Sequence, residues 1–318
     1  MTDFSSINFH RVLINDRVRS LAYQNAIKEV VKPGDIVLDM GTGSGLLSLF
    51  ACQAGASKVY AVEQTSIIGL AQKLAQKNGF SDRIDFINKD IRQIELQSDV
   101  DVIISELISQ TIIGQRMEEL TAFCRDSFLK PGGKIIPRDV DFFWAPVDVS
   151  EIYSRICLPT PDIYGLQFDY MQTQIMNLPH AIRLQEESLL SAGQSLYHLD
   201  SMTVTAKDHP QAKTSFLIKK SGKLCGLTVW FTTNLSSGYS LSNYTNSQSW
   251  ETIFFPLAQP VIVEPGMVID CSMLGMHPAT GRLVFEWEVS IWDNENRITS
   301  VENHYQKQST LASISPIF

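Results

Sequence analysis

The chain has 318 residues, of which 44% are hydrophobic and 19% are charged, and its formal net charge is −8. The length exceeds that of one typical domain, so two domains are expected, with enough apolar residues for packed cores. The acidic balance, with a pI near 5.3, argues against nonspecific binding to nucleic acid or to an anionic membrane, because both require a basic surface.

The five cysteines are scattered and contain no C-x-x-C pair. Their spacing predicts neither a disulfide framework nor a zinc site, no metal is expected, and a reducing compartment is favoured. The first four residues lack a basic region before an apolar run, and no run of about eighteen apolar residues occurs. We therefore expect a cytoplasmic protein that does not enter a membrane.

The N-terminal part alternates predicted helices and strands. Apolar residues at helical spacing predict a helix over 10–31, which ends at Pro33-Gly34. Predicted strands follow at 35–39, 58–63, 83–87 and 100–104, and predicted helices at 45–54, 66–78 and 115–129. Such alternation predicts a parallel sheet with helices on both faces.

After Pro137 the sequence is richer in β-branched and aromatic runs. They predict antiparallel strands, and hence a β-barrel or sandwich, within 141–144, 215–219, 227–232, 252–255, 268–273 and 283–292. Residues 160–200 contain no clear strand, and a helical mixture from Asp169 to Leu199 predicts a packed excursion or an interaction arm. The expected domains are therefore 1–137 and 138–318, with the arm in the second.

The most informative motif is the predicted strand at 37–40, which leads into the glycines Gly41 and Gly43 of a G-x-G-x-G run. Glycines let the backbone approach a ligand where a Cβ would collide. Glu63 ends the next strand, where an acid can hold both hydroxyls of a ribose. Because the spacing differs from a dinucleotide fingerprint and Asp39 would repel a pyrophosphate, S-adenosylmethionine is favoured over NAD, its leading competitor.

A second candidate site residue lies after the strand at 101–104. This strand delivers Ser105 and Glu106 at its carboxyl end, the edge at which open parallel sheets bind ligands. An isolated Glu is more often a surface or capping acid. Its position directly after a buried strand favours a carboxylate beside the cofactor.

Taken together, these segments closely resemble the protein arginine N-methyltransferases, over nearly the whole chain. The matching segments are 10–19, 39–43, 54–59, Glu63, Ser105-Glu106, 163–165 and Ser249-Trp250. The resemblance implies a Rossmann-like class I methyltransferase domain, α/β in class, followed by a β-barrel domain with a helical dimerisation arm. It also implies S-adenosyl-L-methionine as cofactor and a head-to-tail homodimer.

The resemblance assigns roles to matching positions. Arg19 would pair with the methionyl carboxylate, for which a guanidinium is suited, and Met117 would lie near the sulfonium. The implied cofactor-binding residues are His10, Arg19, Asp39, Gly41, Gly43, Glu63, Asp90, Ile91 and Met117. The implied substrate-binding residues are Leu13, Ser249 and Trp250, and the implied catalytic residues are Glu106 and Gln115. Surface charge for His10 and Arg19, and helix core for Leu13 and Met117, are the plainer alternatives.

The chain departs from the family where the acceptor would bind. The family's hairpin bears two glutamates, whereas this chain has Glu106 and then Gln115. A neutral hydrogen bond contributes about 0.5 to 1.5 kcal/mol where a charged one contributes about 1.5 to 3 kcal/mol. The family's Thr-His-Trp loop is 248–250, Gln-Ser-Trp, and Arg92 stands where the family tends to have an acid.

Two acids offer a replacement for the missing glutamate. Glu118 and Glu119 follow Gln115 by one helical turn and could reach back. Acids in the first turn of a helix also simply offset its dipole, which is the stronger interpretation.

The leading hypothesis is an S-adenosylmethionine-dependent N-methyltransferase that acts on a guanidino nitrogen, in arginine, an arginine-derived small molecule or a specialised peptide. One alternative keeps catalysis but changes the acceptor to an amine, amide or hydroxyl, oriented by the amide of Gln115. Another is a noncatalytic, cofactor-binding dimeric regulator.

Overall fold

The structure, a computed structural model, describes residues 5–108, 116–160, 162–244, 249–276, 284–295 and 297–305. Its helices are α1 (Ile7–Asn15), α2 (Arg17–Val30), α3 (Leu46–Ala54), α4 (Ile68–Lys77), α5 (Met117–Phe128), α6 (Ser150–Ile156) and α7 (Asp169–Met176). Among the residues described, no helix is both long and apolar enough to span a membrane.

The first sheet is parallel and has five strands. They are β1 (Ile36–Met40), β2 (Lys58–Val62), β3 (Ile84–Ile87), β4 (Val100–Ser105) and β5 (Leu129–Ile136), in the spatial order β3-β2-β1-β4-β5. The order reverses at β1 and β4, which pair in parallel with Met40 opposite Ser105. The loop after β1 and the residues after β4 therefore meet at the carboxyl edge, the position where such sheets bind ligands.

The strands and helices predicted for this part are confirmed, with ends shifted by one or two residues. One prediction is wrong: the single helix over 10–31 is two helices, because Asp16 interrupts it. The Asp16 carboxylate accepts a hydrogen bond from the backbone N–H of Arg19 at 3.1 Å and so caps the start of α2.

The remainder of the chain is built mainly from antiparallel strands. They are β6 (Asp139–Val147), β7 (Asp162–Ile163), β8 (Leu166–Gln167), β9 (His180–Ile182), β10 (Gln194–Asp200), β11 (Gln211–Leu217), β12 (Gly222–Asn234), β13 (Ser240–Ser242), β14 (Thr252–Val263), β15 (Val268–Met276), β16 (Val284–Trp292) and β17 (Ile298–Tyr305). One sheet has the order β10-β6-β12-β14-β9, with β13 beside β12, and another has the order β11-β15-β16-β17. The change from parallel to antiparallel pairing falls between β5 and β6, and the division into domains 1–137 and 138–318 stays a prediction.

Aromatic side chains join the two large sheets into one core. Phe255 of β14 meets Phe285 and Trp287 of β16 edge to face, with ring centroids 5.2 Å apart in both pairs. Trp144 of β6 meets Phe216 of β11 in the same geometry at 5.6 Å. Such pairs add about 0.5 to 1.5 kcal/mol each to the stabilisation from burial, so they fix how the sheets face each other.

The prediction for residues 160–200 is largely wrong. The helical interpretation from Asp169 to Leu199 holds for α7 only, while β9 and β10 are strands and β7 and β8 form a short hairpin. Of these four missed strands, β9 and β10 are short or irregular by themselves, and both pair with distant partners, β9 with β14 and β10 with β6. Tertiary pairing therefore overrides the weak local preference of these segments.

Candidate functional site

A cavity of about 450 Å³ opens at the carboxyl edge of the parallel sheet. This volume lies within the range of small-molecule sites, about 300 to 1,000 Å³. Its walls come from α1, α2, the loops after β1 to β4 and the start of α5. The predicted site residues that line it are His10, Leu13, Arg19, Gly41, Gly43, Glu63, Asp90, Ile91 and Glu106.

The glycine loop forms a floor that side chains would block. Gly41 and Gly43 have φ values of +75° and +53°. A Cβ on Gly43 would lie 2.6 Å from Cε1 of His10, and one on Gly41 would lie 3.0 Å from a methyl carbon of Leu107. The loop is therefore packed against α1 and the segment after β4, and its backbone faces the cavity directly.

Asp39 supports this loop from below and does not line the cavity. It is fully buried, and its Oδ2 accepts hydrogen bonds from the hydroxyls of Thr42 and Ser48, both at 2.6 Å. Burial raises the pKa of the Asp39 carboxyl to about 6, although the two hydroxyl hydrogen bonds oppose the shift. The geometry favours a supporting role, and a direct contact between Asp39 and the cofactor stays a prediction.

Glu63 closes one side of the cavity above the loop. Its Oε2 accepts from the backbone N–H of Gly43 at 3.2 Å, and its Oε1 accepts from the backbone N–H of Thr65 at 2.8 Å. Two backbone donors hold the carboxylate in one orientation, with remaining lone pairs for hydroxyl donors of a ligand.

An ion pair between Arg19 and Glu106 lies inside the cavity. Nη1 of Arg19 donates to Oε2 of Glu106, and Nη2 donates to the carbonyl oxygen of Leu13 at 3.0 Å. The side chains are only 8% and 15% exposed. Burial raises the pKa of the Glu106 carboxyl to about 7, while the guanidinium of Arg19 opposes the shift and the nearby Asp16 carboxylate adds to it.

The two predicted substrate residues of the barrel, Ser249 and Trp250, do not line the cavity. Ser249 donates to Oδ2 of Asp16 from its backbone N–H at 3.0 Å and from its hydroxyl at 2.7 Å. The ring of Trp250 is buried, with its centroid 5.7 Å from Cζ of Arg19. These residues therefore stand behind Arg19, one layer away from the cavity.

Met117 is buried in the main hydrophobic core and is absent from the cavity wall. This position favours the plainer interpretation, in which Met117 is a core residue of the helix. Glu118 is also buried, and its Oε1 has no hydrogen-bond partner among the residues that the structure describes. Glu119 is held by Arg92, at 3.1 Å, and by Arg116. Neither acid lines the cavity, which disfavours both as replacements for the second glutamate.

Gln115 and Gln248 lie outside the described residues.

Two arginines that line the cavity, Arg92 and Arg116, form ion pairs with acids. Arg92 donates to Asp90 from Nε at 3.0 Å and from Nη2 at 2.5 Å, and to Glu119 from Nη1 at 3.1 Å. These bonds lower the pKa of Asp90 to about 2. The network ties the turn after β3 to the start of α5 across the mouth, and Asp90, Arg92 and Arg116 all line the cavity.

Sequence reasoning missed two residues that build the site. Asp16 has a recognisable signal, since an Asp before a new apolar period is a typical helix N-cap. Tyr23 of α2 lines the cavity and donates from its hydroxyl to the carbonyl oxygen of Ser105 at 3.2 Å. No local pattern marks Tyr23, because the contact joins residues far apart in the chain.

The arrangement fits S-adenosylmethionine. A Cβ on Gly41 would meet Leu107 and a Cβ on Gly43 would meet His10, so both positions need glycine. The bare backbone of this loop forms a cradle that leaves space for a nucleoside to approach it closely. The buried Nε of Arg19 has no acceptor among the described residues, so this guanidinium has capacity for a further carboxylate. Glu63, which accepts from the backbone N–H of Gly43, also lines the cavity and offers acceptor oxygens for a ribose.

Comparisons with known proteins agree with this arrangement. Residues 22–137 match the family Ribosomal protein L11 methyltransferase (PrmA), and residues 140–311 match the PRMT5 oligomerisation domain. Protein arginine N-methyltransferase 6 of Danio rerio is 35% identical over 240 residues, which cover 72% of this chain and 69% of that protein. The Xenopus tropicalis protein of the same name is 32% identical over 276 residues, which cover 82% of this chain and 81% of that protein.

Solved structures share the fold. The Trypanosoma brucei PRMT1 enzyme-prozyme heterotetrameric complex with AdoHcy gives a TM-score of 0.88 at 21% identity, covering 96% of this chain and 100% of that chain. Arabidopsis thaliana protein arginine methyltransferase 10 gives 0.84 at 22% identity, covering 96% and 99%. The expected fold, a Rossmann-like methyltransferase domain with a barrel domain, is confirmed.

Gly43→Ala tests the cradle. The new methyl group meets His10 and sits at a left-handed φ, so we expect the free energy of unfolding to fall by about 1 to 2 kcal/mol. Affinity for S-adenosylhomocysteine, measured by calorimetry, should fall about tenfold or more as the floor shifts.

Gly69→Ala is the matched control for Gly43→Ala. Gly69 lies near the start of α4 with no atom within 4 Å of an added Cβ, so affinity should not change and stability should rise by about 0.5 to 1 kcal/mol. Adding His10→Ala to Gly43→Ala should recover part of the stability without the affinity. Equal affinities for Gly43→Ala and the parent chain would contradict the placement of the cofactor on this loop.

Proposed function

We propose that this chain, which belongs to the protein arginine N-methyltransferase family, transfers a methyl group to a guanidino nitrogen. Membership makes it an S-adenosylmethionine-dependent methyltransferase. The observation that supports the guanidino acceptor is the contact between Glu106 and Arg19. The carboxylate at the carboxyl end of β4 already holds a guanidinium inside the cavity.

The two partners of this ion pair have different proposed tasks. A cofactor carboxylate would draw the guanidinium of Arg19 toward it, since a planar fork of donors suits a carboxylate. Glu106 would then be left with a buried charge, which is costly without a cation. An acceptor guanidinium supplies that cation, so the residues that bind the cofactor prepare Glu106 for the acceptor.

The chemistry requires alignment more than proton transfer. When bound, the cofactor would supply a methyl group on a sulfonium; a nitrogen lone pair would attack the methyl carbon in line, and the sulfur would leave as a neutral thioether. A guanidinium stays protonated at neutral pH, because its pKa is above about 12. Glu106 would hold the positive charge on the nitrogens that it contacts and orient the remaining nitrogen toward the methyl carbon. That nitrogen would lose its proton to solvent after transfer.

The size of the acceptor is the finer part of the proposal. The names of the relatives support an arginine within a protein. The change to Gln115 and Ser249 is the reason to include arginine itself, small arginine derivatives and specialised peptides. A non-guanidine acceptor and a noncatalytic regulator remain the competing hypotheses.

A mass-spectrometric assay with the cofactor and four acceptor classes tests the proposal. We expect methyl transfer to arginine peptides, free arginine or agmatine, and none to simple amines, because a planar guanidinium can be oriented by a carboxylate through two parallel hydrogen bonds and an ammonium cannot. Turnover of amines or hydroxyls alone would overturn it. Calorimetric cofactor binding with no turnover of any acceptor would favour the regulator.

The rate should depend on pH through Glu106. A raised pKa near 7 means that the carboxyl takes up a proton as the pH falls through about 7, and a neutral carboxyl holds a guanidinium weakly. The rate of methylation should therefore be full above pH 8 and fall below pH 7. Glu106→Gln should lower kcat by about 100- to 1,000-fold and abolish this dependence.

Glu118→Gln is the matched control, because burial also raises the pKa of Glu118 to about 7 while the residue lies off the cavity. This variant should keep the acid limb of the pH profile. Loss of the limb in Glu118→Gln, with its retention in Glu106→Gln, would assign the titration to Glu118 and contradict the proposed role of Glu106.

The homodimer is part of the proposal, with the hairpin β7-β8 and α7 as the arm. Tyr164 and Tyr170 on this arm are 96% and 75% exposed. A second apolar surface, on α1 and α2, exposes Ile7, Val12, Val18 and Leu21. Exposed apolar patches of this kind mark interaction sites, and a head-to-tail pair would bury the arm of one copy on the N-terminal helices of the other.

Light scattering tests the arm with the double variant Tyr164→Asn and Tyr170→Gln. Asn tolerates the φ of +59° at position 164, so local structure should persist while the apolar contact is lost. We expect a dimer for the parent chain and a monomer for the variant. Ile262→Thr changes a 65% exposed residue on β14 and should leave the dimer intact. An unchanged mass for the double variant would exclude this arm as the interface.

A further inference from the structure

Four charged side chains form a continuous series of ion pairs across the mouth of the cavity, and we name them the ion-pair strap: Asp90, Arg92, Glu119 and Arg116. Asp90 and Arg92 lie in the turn after β3, whereas Arg116 and Glu119 lie at the start of α5. Oε1 of Glu119 accepts from Nη1 of Arg92 at 3.1 Å, and Oε2 of the same carboxylate is paired with Nη2 of Arg116. Glu119 therefore joins an arginine of another element to an arginine of its own.

The geometry of the strap makes it stronger than a typical surface ion pair. A single exposed pair contributes little, because ordering two long side chains opposes the attraction, but bidentate pairs and networks are exceptions. The Asp90 carboxylate holds the Arg92 guanidinium at two atoms, Nε at 3.0 Å and Nη2 at 2.5 Å, and also accepts from the backbone N–H of Arg92 at 2.9 Å. Arg92 is thus already ordered where it meets Glu119, so the contact between the two elements costs less conformational entropy.

The strap holds together two apolar residues of the cavity wall. Ile91 lies between Asp90 and Arg92 in the sequence, and Leu120 directly follows Glu119. Ile91 and Leu120 both line the cavity and pack in the same hydrophobic cluster. The width of the cavity between the turn after β3 and α5 therefore depends on the contact between Arg92 and Glu119.

The backbone at the start of α5 also depends on Glu119. Arg116 has a φ of +57° and a ψ of +40°, in the left-handed region that residues other than glycine rarely adopt. Such a conformation persists where the surrounding contacts hold it in place. The ion pair with Glu119 is one such contact, so the carboxylate that reaches across the mouth also fixes the first turn of its own helix.

We infer that Glu119 is a positioning residue for the cofactor: by joining Arg92 to the start of α5, it narrows the mouth of the cavity and slows cofactor exchange. The inference rests on the cofactor that family membership supplies and not on the guanidino acceptor. The four side chains of the strap are between 23% and 46% exposed, so dissolved ions reach and screen them. Cofactor exchange is therefore faster at high ionic strength.

Three variants separate the parts of the strap. Glu119→Gln and Arg92→Gln each remove one partner of the contact between the two elements. Arg116→Asn removes the ion pair within α5, and Asn tolerates the left-handed φ at this position. Glu151→Gln is the matched control, because it breaks the ion pair of Glu151 with Arg155 at 2.6 Å, which lies on α6 and away from the cavity.

The rate at which labelled S-adenosylhomocysteine leaves the protein after rapid dilution tests the strap. Glu119→Gln and Arg92→Gln should each speed up release by about 3- to 10-fold, and the double variant should be no faster, because both changes break the same contact. Arg116→Asn should change release by less than about 2-fold, since its ion pair lies within one element. Raising the salt from about 50 to about 500 mM should speed up release from the parent chain and from Glu151→Gln, but much less from Glu119→Gln and Arg92→Gln.

Hydrogen–deuterium exchange of the protein without ligand gives a readout that needs neither turnover nor an acceptor. The backbone amides at 91–93 and 117–120 should exchange faster in Glu119→Gln and Arg92→Gln than in Glu151→Gln, because the two elements separate more often. If the parent chain methylates no guanidine but these differences appear, the proposed function fails and the strap stands.

Equal release from Glu119→Gln and the parent chain would overturn the inference. So would faster release from Glu119→Gln with unchanged release from Arg92→Gln, because Glu119 would then act only on the N-terminus of its own helix, as an acid opposing the helix dipole. If Glu119→Gln does not fold, the comparison of Arg92→Gln with Glu151→Gln decides, since Arg92→Gln leaves α5 unaltered in sequence.

Discussion

The ion pair between Arg19 and Glu106 is the constraint on which the site depends. Both side chains are largely buried, and burying two charges costs several kcal/mol per ion unless geometry and further hydrogen bonds compensate. The carbonyl of Leu13, the ring of Trp250 and the capped start of α2 supply that compensation for the guanidinium. The helices α1 and α2 therefore supply several of the contacts that hold this pair at the sheet edge.

The sequence predicts the parallel sheet well because each strand there is an apolar run bounded by turn residues. Adjacent parallel strands end at one edge of a sheet, and β1 pairs in parallel with β4. The proximity of Gly41 and Glu106 can therefore be predicted without information on side-chain contacts. The β9 and β10 strands were missed for the opposite reason. Their pairing partners are distant in the chain, and hydrophobic periodicity within a segment does not indicate which distant strand it pairs with.

The same limit explains which site residues could be predicted. Glycines and acids after strands have a local signal, and the structure places Gly43, Glu63 and Glu106 on the cavity wall. Met117 was assigned to the cofactor site from the resemblance alone, but its position on α5 buries its side chain in the hydrophobic core. The contact between Asp16 and Ser249 links residues whose separation in sequence hides it, although the capping signal of Asp16 was visible.

Charge balance gives a physical account of the departures from the family pattern. Arg92, in a place where an acid was expected, is matched by Asp90 and Glu119, so the mouth of the cavity gains no net positive charge from it. Deeper in the cavity, one carboxylate, Glu106, faces one guanidinium at a time. A second carboxylate at the same depth would raise the pKa of the first and add a desolvation cost that a single guanidinium offsets only in part. The charge of Asp16 already raises the pKa of Glu106, and the guanidinium of Arg19 opposes that shift, so the Glu106 carboxyl stays ionisable near neutral pH.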